Sequence, residues 1–160
     1  MFEMPVSKKD IIHYLQQYKK SIQDVFSQVV HLYFENGKIQ FEYSLYSVRY
    51  ETIKRKVNRV RDFNSLAKEG YPTHLIKAFA IINLIEFWLY SPKINLSVVE
   101  REALFWFYIN HDFEYYGKFN KRYKTLSLSQ IAKKMNIKKS EVKRYIDKAM
   151  HKILKYNNSH

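Results

Sequence analysis

The chain has 160 residues, 46% of them apolar, and its 28 Lys or Arg residues outnumber 15 Asp or Glu residues, which gives a net charge of +13. This length supports one substantial core or two small ones, and the positive charge predicts a polyanionic partner. The absence of Cys excludes disulfides, thiolate catalysis and Cys-ligated zinc. With three glycines and neither a Gly-x-Gly-x-x-Gly nor a Gly-Lys-Ser/Thr pattern, the chain also lacks a P-loop.

The first predicted element is a helix that begins after Ser7, which can cap it together with Asp10. Its apolar residues are spaced alternately by four and three, as in a heptad seam. The seam comprises Ile11, Leu15, Tyr18, Ile22, Val25, Val29 and Leu32. It suits either a coiled coil between two chains, which would make a homodimer, or a bundle within one chain. Ile12, Phe26, Val30 and Tyr33 widen the stripe, which favours the bundle.

Two interpretations compete at Asn36-Gly37. Asn-Gly between apolar residues is a strong hairpin signal, so a short β-hairpin over residues 31–43 is one possibility. The other is a helix that stops at Gly37 and is followed by an extended segment. Because an isolated hairpin is only marginally stable, we expect the helix stop.

Two further helices are predicted before a break at Ser91-Pro92. The first runs from Ser47 to Glu69, ends at Gly70 and Pro72, and carries an outer basic surface that includes Arg55 and Arg59. That surface is either an auxiliary phosphate contact or simply a solvated face. The second runs from His74 to Tyr90 with Thr73 as its cap, and it is apolar nearly all round, so we expect it at the centre of a bundle. Its apolar stretch is interrupted and falls short of the roughly 20 residues that span a bilayer. Residues 1–5 lack a secretory signal pattern, so we expect a cytoplasmic protein with no membrane partner.

The predicted fold class is all-α, with an N-terminal helical domain over residues 1–92 and a C-terminal three-helix domain over residues 93–160. In the C-terminal domain, Ser97 with Glu100 is a capping box that opens a helix from Val98 to about Asp112. We expect Leu104, Phe107 and Tyr108 on this helix to pack on the two helices that follow. Residues 113–124 read as a loop rich in aromatic and basic residues. His111, Asp112 and Glu114 are explained by a helix end and a polar loop, so we predict no metal site.

The last thirty residues predict a helix, a short turn and a second helix. Ser127 with Gln130 caps the first helix, Ile131, Ala132 and Met135 form its apolar stripe, and Asn136 ends it. On the second helix, apolar residues recur at helical spacing, and the other face is basic. The apolar positions are Val142, Ile146, Ala149, Ile153 and Leu154.

This spacing, together with LSVVEREALFWFYI at residues 96–109, resembles region four of bacterial sigma factors and phage late-gene transcription regulators of the ArpU and RinA kind. The resemblance covers about the last 65 residues and implies a helix-turn-helix that binds DNA. The chain departs from the pattern at Lys138, where the family has a Ser or Thr cap, and in the longer segment before residue 125.

A helix-turn-helix places its second helix in the major groove of duplex DNA. We therefore expect a DNA-binding set made up of Lys133, Lys134, Lys138, Lys139, Ser140, Lys143, Arg144, Asp147 and Lys148. An accessory basic set comprises Lys118, Lys121, Arg122 and Lys124, with Arg55 and Arg59. No catalytic residues and no cofactor are predicted.

The function expected from these residues is sequence-specific binding of double-stranded DNA for transcription control, in the nucleoid of a bacterial or phage-infected cell. Two alternatives stay open. One is a small terminase-like subunit for DNA packaging. The other is a sigma-like factor that acts mainly through RNA polymerase.

Overall fold

The computed structural model describes residues 7–26, 29–43, 70–116, 120–124 and 126–159. Within these residues the chain is mainly helical, with two separate antiparallel pairs of strands. The predicted helix at 47–69, with Arg55 and Arg59, lies outside the described residues. In chain order the elements are α1 (Lys8–Val25), β1 (Val29–Glu35), β2 (Lys38–Tyr43), α2 (Thr73–Tyr90), α3 (Val98–Leu104), a π-helical turn (Phe105–Ile109), β3 (Asp112–Tyr116), β4 (Asn120–Lys124), α4 (Leu128–Met135) and α5 (Lys139–Ser159).

Helix α1 begins as predicted, since the Ser7 side chain accepts a hydrogen bond from the backbone N–H of Asp10 at 3.2 Å. It ends at Val25, so the prediction of a helical seam reaching Leu32 is wrong. Val29 and Leu32 lie in β1 instead. Four of the five seam residues inside the helix are buried by the chain itself, and Val25 is partly buried. The four are Ile11, Leu15, Tyr18 and Ile22.

Strands β1 and β2 form the hairpin that we considered the weaker interpretation, so the expected helix stop at Gly37 is wrong. Asn36 has φ 55° and Gly37 has φ 76°. Two consecutive residues with positive φ are what a tight hairpin turn needs, because this twist matches that of the strands. The hairpin is not isolated, since Leu32 and Phe41 belong to the core and the Tyr90 hydroxyl accepts a hydrogen bond from the Ile39 N–H at 3.0 Å.

Helix α2 packs along α1 and supplies much of the core. Pro72 stands at its N-cap position without a side-chain cap, so the predicted capping role of Thr73 is wrong and Thr73 is the first helical residue. Within the described residues, α2 is the one helix long and apolar enough to cross a membrane. It carries seven buried residues, among them Ile85 and Trp88 with no exposed surface.

The Ser97–Glu100 capping box is present at the start of α3, as predicted. The helix does not run on to Asp112. It widens into a π-helical turn, in which the Asn110 N–H donates to the carbonyl oxygen of Phe105 at 2.7 Å, and it ends at Ile109. The predicted loop at 113–124 is also wrong, because β3 and β4 pair antiparallel across it.

Helices α4 and α5 form a helix-turn-helix, packed on α3 and the π-helical turn. Leu104 and Ile109 are fully buried there, and Phe107 and Tyr108 pack against the core while partly exposed. The buried residues form one cluster that extends from Ile11 to Ile153 across the proposed domain boundary. The division into two domains at residue 92 stays a prediction.

Candidate nucleic-acid interface

The turn between α4 and α5 is set by residues that sequence reasoning singled out. Ser127 and Gln130 form the predicted capping box at the start of α4. Asn136 ends that helix in the left-handed conformation, with φ 55° and ψ 46°. This conformation suits Asn more than most side chains. The next backbone N–H, that of Ile137, donates back to the Ala132 carbonyl oxygen at 3.0 Å and closes the turn.

One face of each motif helix is buried. Ile131 on α4 and Val142 on α5 have no exposed surface, and Ala132 is 8% exposed. The small side chain of Ala132 lets the two helices approach closely. Further along α5, the buried residues are Ile146, Ala149, Met150, Ile153 and Asn157. Because the apolar faces of α4 and α5 are buried in the core, their opposite faces are exposed to solvent.

All nine residues predicted to bind DNA are exposed on this opposite surface. Lys133 and Lys134 lie on α4, Lys138 lies in the turn, and the other six lie on α5. The six are Lys139, Ser140, Lys143, Arg144, Asp147 and Lys148. The structure therefore gathers the predicted set on one helix-turn-helix and leaves it accessible.

Lys138 stands at the N-cap position of α5, where a Ser or Thr was expected from the resemblance. Its backbone N–H donates to Oε1 of Glu141 at 3.4 Å, so Glu141 supplies the reciprocal half of a capping box. Lys138 precedes and Lys139 begins α5, so both residues lie at the positive end of the helix dipole. An incoming phosphate would be stabilised by both.

Two of the cations predicted to bind DNA lie close to aromatic rings. The guanidinium carbon of Arg144 lies 5.1 Å from the ring centroid of Tyr145. The ammonium of Lys134 lies 4.7 Å from the ring centroid of Trp106, whose indole N–H donates to Oε2 of Glu102 at 3.1 Å. Such contacts are weak at exposed sites, about 0.5–1 kcal/mol, so either cation can leave its ring for a stronger anionic partner.

A groove of about 750 Å³ runs beside α5. The α5 wall carries Ser140, Lys143, Arg144, Tyr145, Asp147, Lys148, His151 and Lys152, and α3 contributes Ser97 and Glu100. Burial and, as a smaller cause, the charge of Asp147 raise the pKa of the nearby Tyr108 hydroxyl above its ordinary value. His151 and Lys152 were not singled out from the sequence, although they continue the helical spacing of Arg144 and Lys148.

Glu100 and Lys152 close one side of the groove. The Lys152 ammonium lies 2.7 Å from Oε1 of Glu100 and donates to the Asn95 carbonyl oxygen at 3.0 Å. Burial alone would raise the pKa of the Glu100 carboxyl, but hydrogen bonds from Lys152 and Ser97 outweigh it, and the pKa lies below its ordinary value. Lys152 is therefore held in place by an ion pair with Glu100 and a hydrogen bond to Asn95.

The accessory basic set lies only partly within the described residues. Lys118 lies outside them, as do Arg55 and Arg59, while Lys121, Arg122 and Lys124 lie in β4. The register pairs Arg122 with Glu114 and Lys124 with Asp112, so two of the bases stand opposite acids. Their contribution to binding stays a prediction.

His111 is a buried residue that contacts α1. His111 is 5% exposed and its Nε2 lies 2.8 Å from the Gln16 carbonyl oxygen. No group of three or more His, Asp or Glu residues able to hold a metal ion occurs among the described residues.

Comparison of the chain with protein-family models, with curated proteins and with solved structures gave no match.

Proposed function

We propose that this chain is a transcription regulator that binds duplex DNA sequence-specifically through α4 and α5. The observation that carries the proposal is the exposure of all nine predicted residues on one helix-turn-helix whose other face is buried. Residues 117–155 also hold thirteen Lys or Arg residues against two acids, Glu141 and Asp147. A surface of this charge attracts the DNA backbone.

In this proposal, the N-terminal part of α5 enters the major groove and α4 crosses the backbone, as in other helix-turn-helix proteins. Lys139, Ser140, Lys143 and Arg144 then face the base edges, with Asp147 as a further contact. Arg and Lys bind the O6 and N7 acceptors of guanine, and a good bidentate contact gives about 1–3 kcal/mol of discrimination.

The remaining cations of the set bind phosphates. They are Lys133, Lys134, Lys138 and Lys148. Each neutralised phosphate contributes roughly 0.9 to the slope of log affinity against log salt. Phosphate contacts supply most of the affinity and fix the orientation, and the base contacts supply the specificity.

The experiment that tests the proposal is selection of bound fragments from a random duplex pool at about 0.15 M salt, near physiological ionic strength. An enriched motif is expected for the full chain, and no such enrichment for the variant Lys143→Ala/Arg144→Ala. The matched control Lys9→Ala/Lys20→Ala removes two exposed cations from α1 and should select the same motif. Failure of the full chain to enrich any motif would overturn the proposal.

Two further measurements on the purified full chain distinguish the packaging role and the sigma-like role from the proposed one. A ring of many subunits in solution would favour a terminase-like packaging role, and capture of RNA polymerase without DNA would favour a sigma-like role. A homodimer would give a motif with two-fold symmetry. Whether the chain forms a homodimer through α1 is measured on the same protein by its mass in solution. We place the protein in the cytoplasm, associated with the nucleoid.

A further inference from the structure

The basic surface of α5 continues well beyond the residues assigned to the base edges and nearest phosphates. Arg144, Lys148, His151 and Lys155 are all exposed, and they are spaced by four, three and four residues. This spacing places them on one stripe of the helix, opposite the buried Ile146 and Ile153. Asp147 and Glu141 border the stripe on the helix, and Glu100, which lines the groove beside it, is paired with Lys152.

The stripe leads to a second, smaller recess at the C-terminal end of α5. It has a volume of about 290 Å³ and is lined by Lys93, Ile94, Lys152, Lys155, Tyr156 and Ser159. Among the described residues, three lysines and two hydroxyl-bearing residues line it, and no acid does. This composition suits a phosphate group.

The three lysines of this recess are not equivalent. Lys152 is bound to Glu100 and to the Asn95 carbonyl oxygen, so its charge is already compensated. Within the described residues, neither Lys93 nor Lys155 has an ion pair, and both are exposed. Two uncompensated cations therefore stand on either side of one recess.

The length of the helix decides which part of DNA this recess can reach. Lys155 follows Arg144 by eleven residues, which is about 16 Å along the helix axis. The major groove is only about 12 Å wide. Where α5 runs across the groove with Arg144 at the base edges, Lys155 lies past the edge of the groove, where the sugar-phosphate backbone runs.

We propose that Lys93 and Lys155 bind the phosphate backbone of DNA flanking the recognised site. This inference rests on the proposed function and extends it, since neither residue belongs to the predicted set. It assigns the recess a role in affinity and in the length of DNA covered, without a role in base selection. An acidic protein surface is the alternative occupant, and the experiment below distinguishes it.

The test measures affinity for the selected duplex over a range of salt concentrations, by fluorescence anisotropy. The variant Lys93→Gln/Lys155→Gln should lower the salt slope by roughly 1–2 and weaken binding on the order of tenfold at about 0.15 M salt, with the selected motif unchanged. The matched control Lys9→Gln/Lys20→Gln should keep the slope of the unmodified chain. Since both replaced lysines are exposed, the variant should unfold at the same urea concentration as the unmodified chain.

A second arm of the test leaves the protein unmodified and shortens the DNA. On a duplex trimmed to the selected site, the unmodified chain should show the reduced slope of the double variant on the long duplex, because the flanking phosphates are gone. An unchanged slope for the double variant with the motif still selected would overturn this inference and leave the proposed function standing. Equal affinity of the unmodified chain for trimmed and long duplexes would also overturn it and would point to a protein partner. Failure of the unmodified chain to bind any duplex would overturn both.

Discussion

The ammonium of Lys152 lies 2.7 Å from Oε1 of Glu100, and this contact joins the first turn of α3 to the C-terminal half of α5. The same carboxylate oxygen accepts the backbone N–H of Ser97 at 2.7 Å, so one side chain caps α3 and holds α5 against it. The orientation of the proposed recognition helix is thereby tied to the capping box of a different helix.

Replacement of Glu100 by Gln should destabilise the protein by about 1–3 kcal/mol, because it leaves the Lys152 ammonium without its charged partner in a partly buried position. The Glu100 side chain is 3% exposed and that of Lys152 is 37% exposed, so water can compensate only in part. The free energy of unfolding in urea measures the effect. The control Glu35→Gln, at an exposed strand end, should change stability by less than about 0.5 kcal/mol. Equal stability of the two variants would contradict the structural role of Glu100.

Acid should remove the contribution of the Glu100–Lys152 contact to stability. The pKa of Glu100 in the folded protein lies below its ordinary value of 4.5, because hydrogen bonds from Lys152 and Ser97 outweigh the effect of burial. The folded state therefore releases this proton more readily than the unfolded state, and the contribution to stability is full above about pH 4.5 and lost as pH falls through the lower folded pKa. The difference in unfolding free energy between the unmodified chain and Glu100→Gln should shrink on acidification below pH 4.5. A constant difference from pH 7 to pH 3 would contradict this.

The hairpin shows why part of the fold escaped sequence reasoning. The register of β1 and β2 shifts between Val29 and His31, which is a β-bulge. A bulge changes which residues share a face, and here Val29 and Leu32, three residues apart, are both buried. A spacing of three residues also fits one turn of a helix, which is why the heptad pattern of α1 predicted a helix as far as Leu32. Asn36-Gly37 gave the correct signal, but the stability of the hairpin depends on core contacts that local sequence does not contain.

Much of the candidate site could be predicted because its sequence signals are local. Capping boxes at Ser97 and Ser127 and the left-handed turn at Asn136 are local devices, and helical spacing assigns the buried and exposed faces of α5 directly. The Glu100–Lys152 contact and the grouping of Lys93 with Lys155 join residues more than fifty positions apart, and sequence spacing cannot reveal them. The strands β3 and β4 carried a weak local signal, since Phe113 and Tyr115 flank Glu114, and Tyr123 lies between Arg122 and Lys124.

A side chain at residue 37 should destabilise the tip of the first hairpin. A Cβ at Gly37 would lie 3.3 Å from Cγ2 of Val98, in a backbone with φ +76°. We expect Gly37→Ala to destabilise the protein by about 1–2 kcal/mol, through the cost of a left-handed conformation. Gly70→Ala is a matched control, because φ there is +85° and a Cβ would meet nothing within 4 Å. In thermal unfolding, Gly37→Ala should lose more stability than Gly70→Ala, and the reverse order would contradict the packing of the hairpin tip against α3.

Arg144 should determine base preference. Arg144→Ala removes the side chain best suited to guanine, so discrimination at one position of the selected motif should fall by about 1–3 kcal/mol. Lys133→Ala, in contrast, removes a phosphate contact and should weaken binding to all sequences alike. Competition between the selected duplex and single-base variants of it measures both effects. Unchanged binding and unchanged preference after Arg144→Ala would mean that the recognition face is misplaced.

The contact of Lys134 with Trp106 offers a direct optical test of whether α4 meets the DNA. Binding of a phosphate should draw the Lys134 ammonium away from the indole ring, 4.7 Å away in the free protein, and change the emission of Trp106. Trp88, the only other Trp, has no exposed surface and should not respond. We therefore expect the tryptophan fluorescence of the unmodified chain to change on titration with the selected duplex, and that of Trp106→Phe to stay constant. The variant Lys134→Gln should bind more weakly, with a salt slope lower by roughly 0.9 and a smaller change in emission. If saturating DNA leaves the emission of the unmodified chain unaltered, Lys134 does not leave Trp106 for the phosphate backbone, and α4 is turned away from the duplex.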